Sequence, residues 1–389
     1  MANAIPAVTF LLQSRLEAAP GQRLPWAEVM QMALYEPEKG YYRQGVRRIG
    51  RSGDFYTSVS VGPLFGSLLA EYGYSLWRES TDANPFTLIE QGAHDGTLAH
   101  DVLSALRQAH PDLYERARYL IIEPDPGLRV AQAEKLGADF PGKLLHVEAW
   151  SAVPASTGLV LCNELLDAFA VHRVQFTTEG WRELYVELGE SGALAFGIGP
   201  VSTPDLEREL DLMGTDFPIG FTTEINVAMI DWLEEVAESA FQGELLLADY
   251  GHAAREYYIP ERSGGTLRRY YQHRSDDNVL EALGDADLTS HVNFTRLAEA
   301  AQSLGWQVTE FIEQGRFLTG LAAELMRQPG FTPTPAWMRQ FQTLTHPGHL
   351  GHSFQILTLR RVSDLKVENN HLRRDSALRR LGMENAPSR

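Results

Sequence analysis

The chain has one cysteine, Cys162, among 389 residues. That excludes an intramolecular disulfide and a cysteine metal cluster, and it fits a reducing compartment. Long apolar runs are also missing. None approaches the roughly 20 residues that a membrane-spanning helix needs. Met1–Arg15 lacks a basic start followed by an apolar core, so no secretory signal is expected. Positive charge is scarce: 34 Lys and Arg against 51 Asp and Glu leave a net charge of −17. Such a surface disfavours nucleic acid and anionic membrane and favours cationic partners. His94, His100 and His110 lack metal-ligand spacing with a carboxylate, so no metal is expected. There is no internal repeat. The expectation is a soluble, cytoplasmic protein of 44% apolar content, ordinary for a folded globular chain.

What is present is a pattern of short apolar runs alternating with helical periodicity. Phe86–Ile89, Tyr119–Ile122, Leu144–Val147, Gly158–Cys162 and Glu244–Ala248 read as buried strands. Leu98–His110, capped by Thr97, and Leu128–Leu136 read as helices between them. Strand–helix alternation predicts a parallel sheet with crossover helices. Val8–Ala19, Trp26–Leu34 and Val61–Arg78 have helical spacing ahead of this core. Val171–Phe176 and Glu183–Leu188 alternate apolar and polar residues like an inserted antiparallel pair. Ser191–Gly220 reads as acidic loop, and Arg255–Asn293 as a second irregular region. Asn226–Ala240 and Phe294–Leu304 read as helices, Trp306–Glu310 and Ser353–Arg360 as strands, and Val362–Arg389 as a disordered or loosely docked tail. The division expected is a helical N-terminal region with a site-covering loop at 1–80, a core at 81–361 with insertions near 170–220 and 255–293, and a charged tail at 362–389.

Ligands in open α/β sheets sit at the carboxyl ends of strands. Four such ends carry polar groups: Glu90, Glu123, Asn163–Glu164 and Asp249. The stretch TLIEQGAHDGTL at Thr87–Leu98 is a strand, a glycine turn and a helix start. Its helix N-terminus offers free N–H groups, and Gly92 and Gly96 let a ligand approach the backbone. A dinucleotide needs G-x-G-x-x-G, but the three positions here are Gly92, His94 and Thr97. The ribose acid should follow about 20 residues on. Glu123 lies 33 beyond Glu90 (123 − 90). An NAD-dependent oxidoreductase is therefore disfavoured. S-adenosylmethionine carries a sulfonium, an ammonium, a carboxylate and ribose hydroxyls but no phosphate, and carboxylates suit its cations. Glu123 can accept both hydroxyls.

Eight stretches then occur in order: LYEPEKGYY (Leu34–Tyr42), GDFYTS…GPLFG (Gly53–Gly66), EQGAHDGTLAHDVL (Glu90–Leu103), IIEPDPGLRVAQ (Ile121–Gln132), NELLDAFAVHRV (Asn163–Val174), LLADYGH (Leu246–His252), GGTLRRYYQH (Gly264–His273) and DLTSHVNFTRLAEAA (Asp287–Ala301). With them the chain resembles the MidA-like S-adenosylmethionine-dependent methyltransferases, which include a mitochondrial complex I assembly factor that methylates arginine. The resemblance implies a class I methyltransferase (Rossmann-like) fold: a seven-stranded, mostly parallel sheet with helices on both faces, a helical N-terminal extension and inserted cap elements. It implies S-adenosyl-L-methionine as cofactor and a protein partner with an exposed arginine as substrate. Glu90, Gly92 and Gly96 would form the cofactor loop, Glu123 would hold the ribose, and Asn163 and Glu164 would lie beside the methionine end and the substrate. Gly53, Asp54 and Phe55 would belong to the loop covering the site.

One departure stands out. His94 occupies a position where the family has glycine. Either the loop bends differently, or a strained residue weakens cofactor binding. A non-catalytic assembly or chaperone-like factor keeping the fold is the alternative this favours. For catalysis on arginine, Glu164 and Asp167 are the candidate guanidinium ligands. His291 is the candidate base, with Asp249 to orient it. Glu164 and Asp167 could equally begin a helix, and His291 could be a loop anchor. Tyr41, Tyr42, Tyr56, Tyr270 and Tyr271 could line an arginine channel through cation–π contact or serve as core.

Overall fold

The structure is a computed structural model. It describes residues 7–43, 57–80, 85–272, 274–328, 330–361 and 371–383. The chain divides into two compact units, each assembled from three segments.

One unit comprises Tyr56–Leu165, Trp232–Ala254 and Asn293–Arg389. Its sheet is built from β1 (Phe86–Gln91), β2 (Arg118–Ile122), β3 (Leu144–Val147), β4 (Ser156–Asn163), β5 (Phe241–His252), β6 (Gln307–Glu313) and β7 (Phe354–Arg361). The spatial order is β6-β7-β5-β4-β1-β2-β3. Pairings from β3 through β5 are parallel, whereas β7 runs antiparallel to both β5 and β6. The sheet counts eight strands in all, one short strand lying off this path. The fold is thus α/β with a mixed sheet, carrying one strand more than the expected seven. The order reverses beside β1, which puts its carboxyl end at a topological switch point.

The β-branched and leucine-rich runs form strands because both faces are covered. On one face Leu88, Tyr119, Ile121, Leu159, Leu161, Leu246 and Ile356 pack against helices Leu64–Glu79, Thr97–Ala109 and Gln314–Met326. Each fully buried leucine contributes about 1.5–3 kcal/mol. Asp125 begins helix Pro126–Gly137 by accepting the N–H groups of Gly127 and Leu128 at 2.7 and 2.9 Å. Part of the charged tail is helical. Residues His371–Leu381 form a helix in which Ala377 and Leu381, four apart, are buried, and the Thr295 hydroxyl donates to the Leu381 carbonyl at 2.8 Å. Two apolar residues among arginines hid this face from periodicity.

The other unit comprises Met1–Phe55, Leu166–Asp231 and Arg255–Val292. Its main sheet is antiparallel, with the order Arg23–Pro25, Gly180–Leu188, His172–Thr177, Thr222–Ile225; Leu194–Gly199 also pairs with Gly180–Leu188. The stretch expected to be loop, 191–220, therefore holds a strand and the helix Pro204–Met213. Thr203 caps that helix by accepting from Leu206 N–H, and Leu206 and Leu210 are its buried stripe. Within 255–293, the strands Arg268–Tyr271, Arg274–Asp276 and Asp287–Thr289 form a small sheet. Among the described residues no helix is long and apolar enough to cross a membrane.

Candidate functional site

Register brings the predicted acids to one edge. Glu90 pairs with Ile121 of β2 and Leu161 of β4, so Glu123 and Asn163 both stand two residues beyond its level. Asn163 pairs with Ala248 of β5, which sets Asp249 level with Glu164. Five polar residues from four strand ends thus share the carboxyl edge.

Between β1 and the first helix the chain turns through Gly92 (φ 81°), His94 (φ 45°) and Gly96 (φ 76°). His94 adopts the left-handed backbone that glycine would take there, so the loop keeps its bend at a cost of about 1 kcal/mol. Helix Pro126–Gly137 braces it. The buried Gln132 donates to the His94 carbonyl at 2.8 Å. Lys135 Nζ reaches Asp95 at 2.7 Å and the Thr97 hydroxyl at 2.9 Å. The expected cap by Thr97 is corrected: Thr97 is the first helical residue, and Asp95 accepts its N–H at 3.0 Å. Burial opposes charge on Asp95, but hydrogen bonds from His94, Lys135 and Thr97 outweigh it and hold the carboxyl well below its usual range. A side chain at Gly96 is disfavoured by the left-handed φ of 76° and would bring a Cβ within 2.9 Å of Leu136 Cδ1, which would have to shift.

Glu90 is 3% exposed and accepts the Tyr119 hydroxyl at 2.7 Å. Burial pushes its carboxyl up to about 7; Tyr119 pulls the other way, and Asp95 and Asp101 add to the rise. Glu123, 7% exposed, accepts the Asp125 N–H at 2.9 Å, and Gln132 lies 3.5 Å from its other oxygen. On the opposite face of β1, Gln91 Oε1 accepts both indole N–H groups of Trp150 and Trp232, at 2.7 and 2.8 Å. Cys162 is buried, and its thiol is pushed well up by burial and by Glu90 and Asp249; it is an inert strand residue.

At the end of β4, Asn163 Nδ2 donates to Glu164 Oε1 at 2.9 Å, while the buried Asn163 Oδ1 has no hydrogen-bond partner among the described residues. Glu164 has φ 53°, a strained conformation for a residue with a side chain. Its N–H donates to the Ala248 carbonyl at 2.9 Å. No helix begins here, so the helix-start reading of Glu164 and Asp167 is set aside.

Asp167 and His291 belong to the other unit. There the Asp167 carbonyl accepts Ser290 N–H at 2.9 Å, which brings the two stretches together. The His291 peptide is held at both ends: its N–H donates to the Thr266 hydroxyl at 3.1 Å, and its carbonyl accepts from Tyr257 at 3.2 Å. Thr266 in turn donates through its N–H and its hydroxyl to the buried Glu224, at 2.6 and 3.0 Å. This explains the Gly264–Gly265–Thr266 stretch, because a Cβ on Gly265 would lie 2.1 Å from Glu224 Oε1. Tyr41 is a core residue, 2% exposed among Trp26, Met30 and Leu34. Tyr42 donates to Asp287 at 2.9 Å and stacks on Tyr35. Asp249 accepts the N–H of its neighbour Tyr250 at 2.8 Å within the first unit described, whereas His291 lies in the second. Gly53, Asp54, Phe55 and Tyr56 lie outside the described residues.

Tyr119, Gln132 and Lys135 carry no functional signal in the sequence. Tyr119 sits in an apolar strand and Gln132 and Lys135 in a helix, where each type is ordinary. The donor set nonetheless fits S-adenosylmethionine. Glu90 and Glu123 are buried carboxylate acceptors, Asn163 Oδ1 is an acceptor at the same edge without a hydrogen-bond partner among the described residues, and Gly96 sits in left-handed backbone close to Leu136.

Residues 68–312 match the Methyltransf_28 family of S-adenosyl-L-methionine-dependent methyltransferases. Among curated proteins, the mitochondrial protein arginine methyltransferase NDUFAF7 of Mus musculus is 31% identical over 326 residues, covering 77% of this chain and 71% of that protein. Its Drosophila melanogaster homolog is 28% identical over 370 residues, covering 86% and 81%. Among solved structures, a superfamily member from Burkholderia thailandensis bound to S-adenosyl-homocysteine superposes with a TM-score of 0.80 at 29% identity, covering 91% of this chain and 92% of that one. The match, the sheet order and the acids at its carboxyl edge agree, and the chain belongs to this family of S-adenosyl-L-methionine-dependent methyltransferases.

Proposed function

We propose that the chain methylates an arginine side chain of a protein substrate. The curated relatives are named protein arginine methyltransferases. The observation that carries the reading is Glu164, a carboxylate fixed in strained backbone at the carboxyl edge and oriented by Asn163. Strain of this kind persists where a function needs the side chain aimed. A carboxylate can hold a guanidinium through two parallel hydrogen bonds, which orients one nitrogen for in-line attack.

When bound, S-adenosylmethionine supplies the electrophilic methyl group. The other roles fall to the chain. Glu123 accepts the ribose hydroxyls, Glu90 receives the ammonium, Gly92 and Gly96 admit the ligand to the backbone, and Asn163 serves the methionine end. The guanidinium gives up a proton on methylation, and His291 is the proposed base; Asp167 is a proposed second carboxylate for the substrate. Gly53, Asp54 and Phe55 are assigned to a covering loop by resemblance.

The test separates binding from turnover. Glu164→Ala should bind S-adenosyl-homocysteine like the wild type by calorimetry and lose methyl incorporation into protein of a cognate extract by 100-fold or more, roughly the effect of a transition-state contact. Unchanged incorporation would remove Glu164 from the mechanism.

A further inference from the structure

Glu90 lies on the sheet face covered by helices Leu64–Glu79 and Thr97–Ala109. Tyr119 lies two residues before Ile121, the residue paired with Glu90, and so shares that face on the adjacent strand. Tyr119 is fully buried, and its hydroxyl is spent on Glu90 Oε2 at 2.7 Å. Among the described residues Glu90 makes no ion pair, and its second oxygen, Oε1, accepts no hydrogen bond. Among the described residues the ionisable groups around it are acids: Asp95 from the loop and Asp101 from the helix, with the neutral Cys162 thiol on β4 and Asp249 beyond it on β5. Lys135 is engaged with Asp95 and Thr97 instead. A buried carboxylate without a cation is unfavourable when ionised, unless a ligand brings the missing charge.

We infer that Tyr119 and Glu90 form a proton-linked receptor for the cofactor's ammonium: the Tyr119 hydroxyl fixes Oε2, Oε1 is left for the ligand, and cofactor binding releases one proton from Glu90. This rests on the proposed contact between Glu90 and that ammonium. The proton goes to solvent, the ammonium keeps its own, and the Tyr119 hydroxyl donates in both states. Tyr119 is a positioning residue, acting on the cofactor through Glu90.

The ligand-free carboxyl titrates near 7. It is then about one-tenth ionised at pH 6 and nine-tenths ionised at pH 8, so affinity should rise about tenfold between them. The experiment is calorimetric titration with S-adenosyl-homocysteine from pH 6 to pH 8.5, in buffers of different ionisation heat. Glu90→Gln serves as the baseline that cancels the ligand's own titration. The wild type should release close to one proton at pH 6 and little at pH 8. Tyr119→Phe should move the midpoint to higher pH, because its hydroxyl is the group that lowers the Glu90 titration. It should therefore bind several-fold more weakly at pH 7. An affinity that does not change with pH, no proton release by the wild type, or a Tyr119→Phe midpoint equal to that of the wild type would each overturn the inference while leaving the cofactor site intact. Absence of binding at every pH would overturn both. If Tyr119→Phe does not fold, proton release by the wild type decides alone.

Discussion

Replacing Glu90 with glutamine should stabilise the ligand-free protein at pH 8 and weaken its hold on the cofactor. Glutamine has nearly the same shape and its carbonyl still accepts from Tyr119, so only the ionisable oxygen changes. Burial raises the Glu90 carboxyl from 4.5 to about 7, which corresponds to about 3 kcal/mol. Below the unfolded value the group is protonated in both states and costs nothing. As pH rises from about 4.5 to about 7, the unfolded chain ionises while the folded chain holds its proton, so this group's contribution to wild-type stability declines and then levels off above 7. Glu90→Gln lacks that slope. The two proteins should therefore unfold alike near pH 4.5, and the variant should gain up to about 3 kcal/mol at pH 8, read as a higher Tm by scanning calorimetry or a higher urea midpoint. The same variant should bind S-adenosyl-homocysteine about tenfold more weakly or worse. Parallel pH slopes for the two proteins, or a variant less stable at pH 8, would refute the claim that Glu90 is an uncompensated buried acid awaiting a cation.

The remaining expectations concern the same edge. Glu123→Ala should lower S-adenosyl-homocysteine affinity about 10- to 100-fold by calorimetry, since hydrogen bonds to a charged acceptor contribute about 1.5–3 kcal/mol; a wild-type constant would remove Glu123 from the ribose position. Gly96→Ala combines a left-handed φ of 76° with a Cβ 2.9 Å from Leu136, and should cost about 1–3 kcal/mol in urea denaturation and weaken cofactor binding in parallel.

Much of this edge is legible in the sequence because buried parallel strands are continuous apolar runs, and Glu90, Glu123, Asn163 and Asp249 interrupt or end them. Run length and the residue that ends each run locate the carboxyl edge without knowing the sheet order. Other features depend on contacts between strands and helices far apart in sequence. Tyr119 looks like any aromatic core residue until β2 is laid beside β1. Gln132 and Lys135 look like ordinary helix residues until they meet the His94 carbonyl and Asp95. Thr97 has the residue type of a helix cap, but the left-handed backbone of Gly96 starts the helix one residue earlier than that type suggests, and Asp95 accepts the Thr97 N–H. The left-handed φ of Glu164 has no sequence signal at all, since glutamate rarely adopts it. Asp167 and Glu164 stand three apart in sequence yet belong to different compact units, a division that falls between Leu165 and Leu166.

Methyl transfer to protein arginine at the carboxyl edge of the sheet is tested most directly by incubating the protein with tritium-labelled S-adenosylmethionine and a cognate extract, followed by hydrolysis of the labelled protein and identification of the modified amino acid. Label is expected in methylated arginine, lost with Glu164→Ala while S-adenosyl-homocysteine binding is kept. Label in another amino acid, or no label under conditions where the cofactor binds, would contradict it.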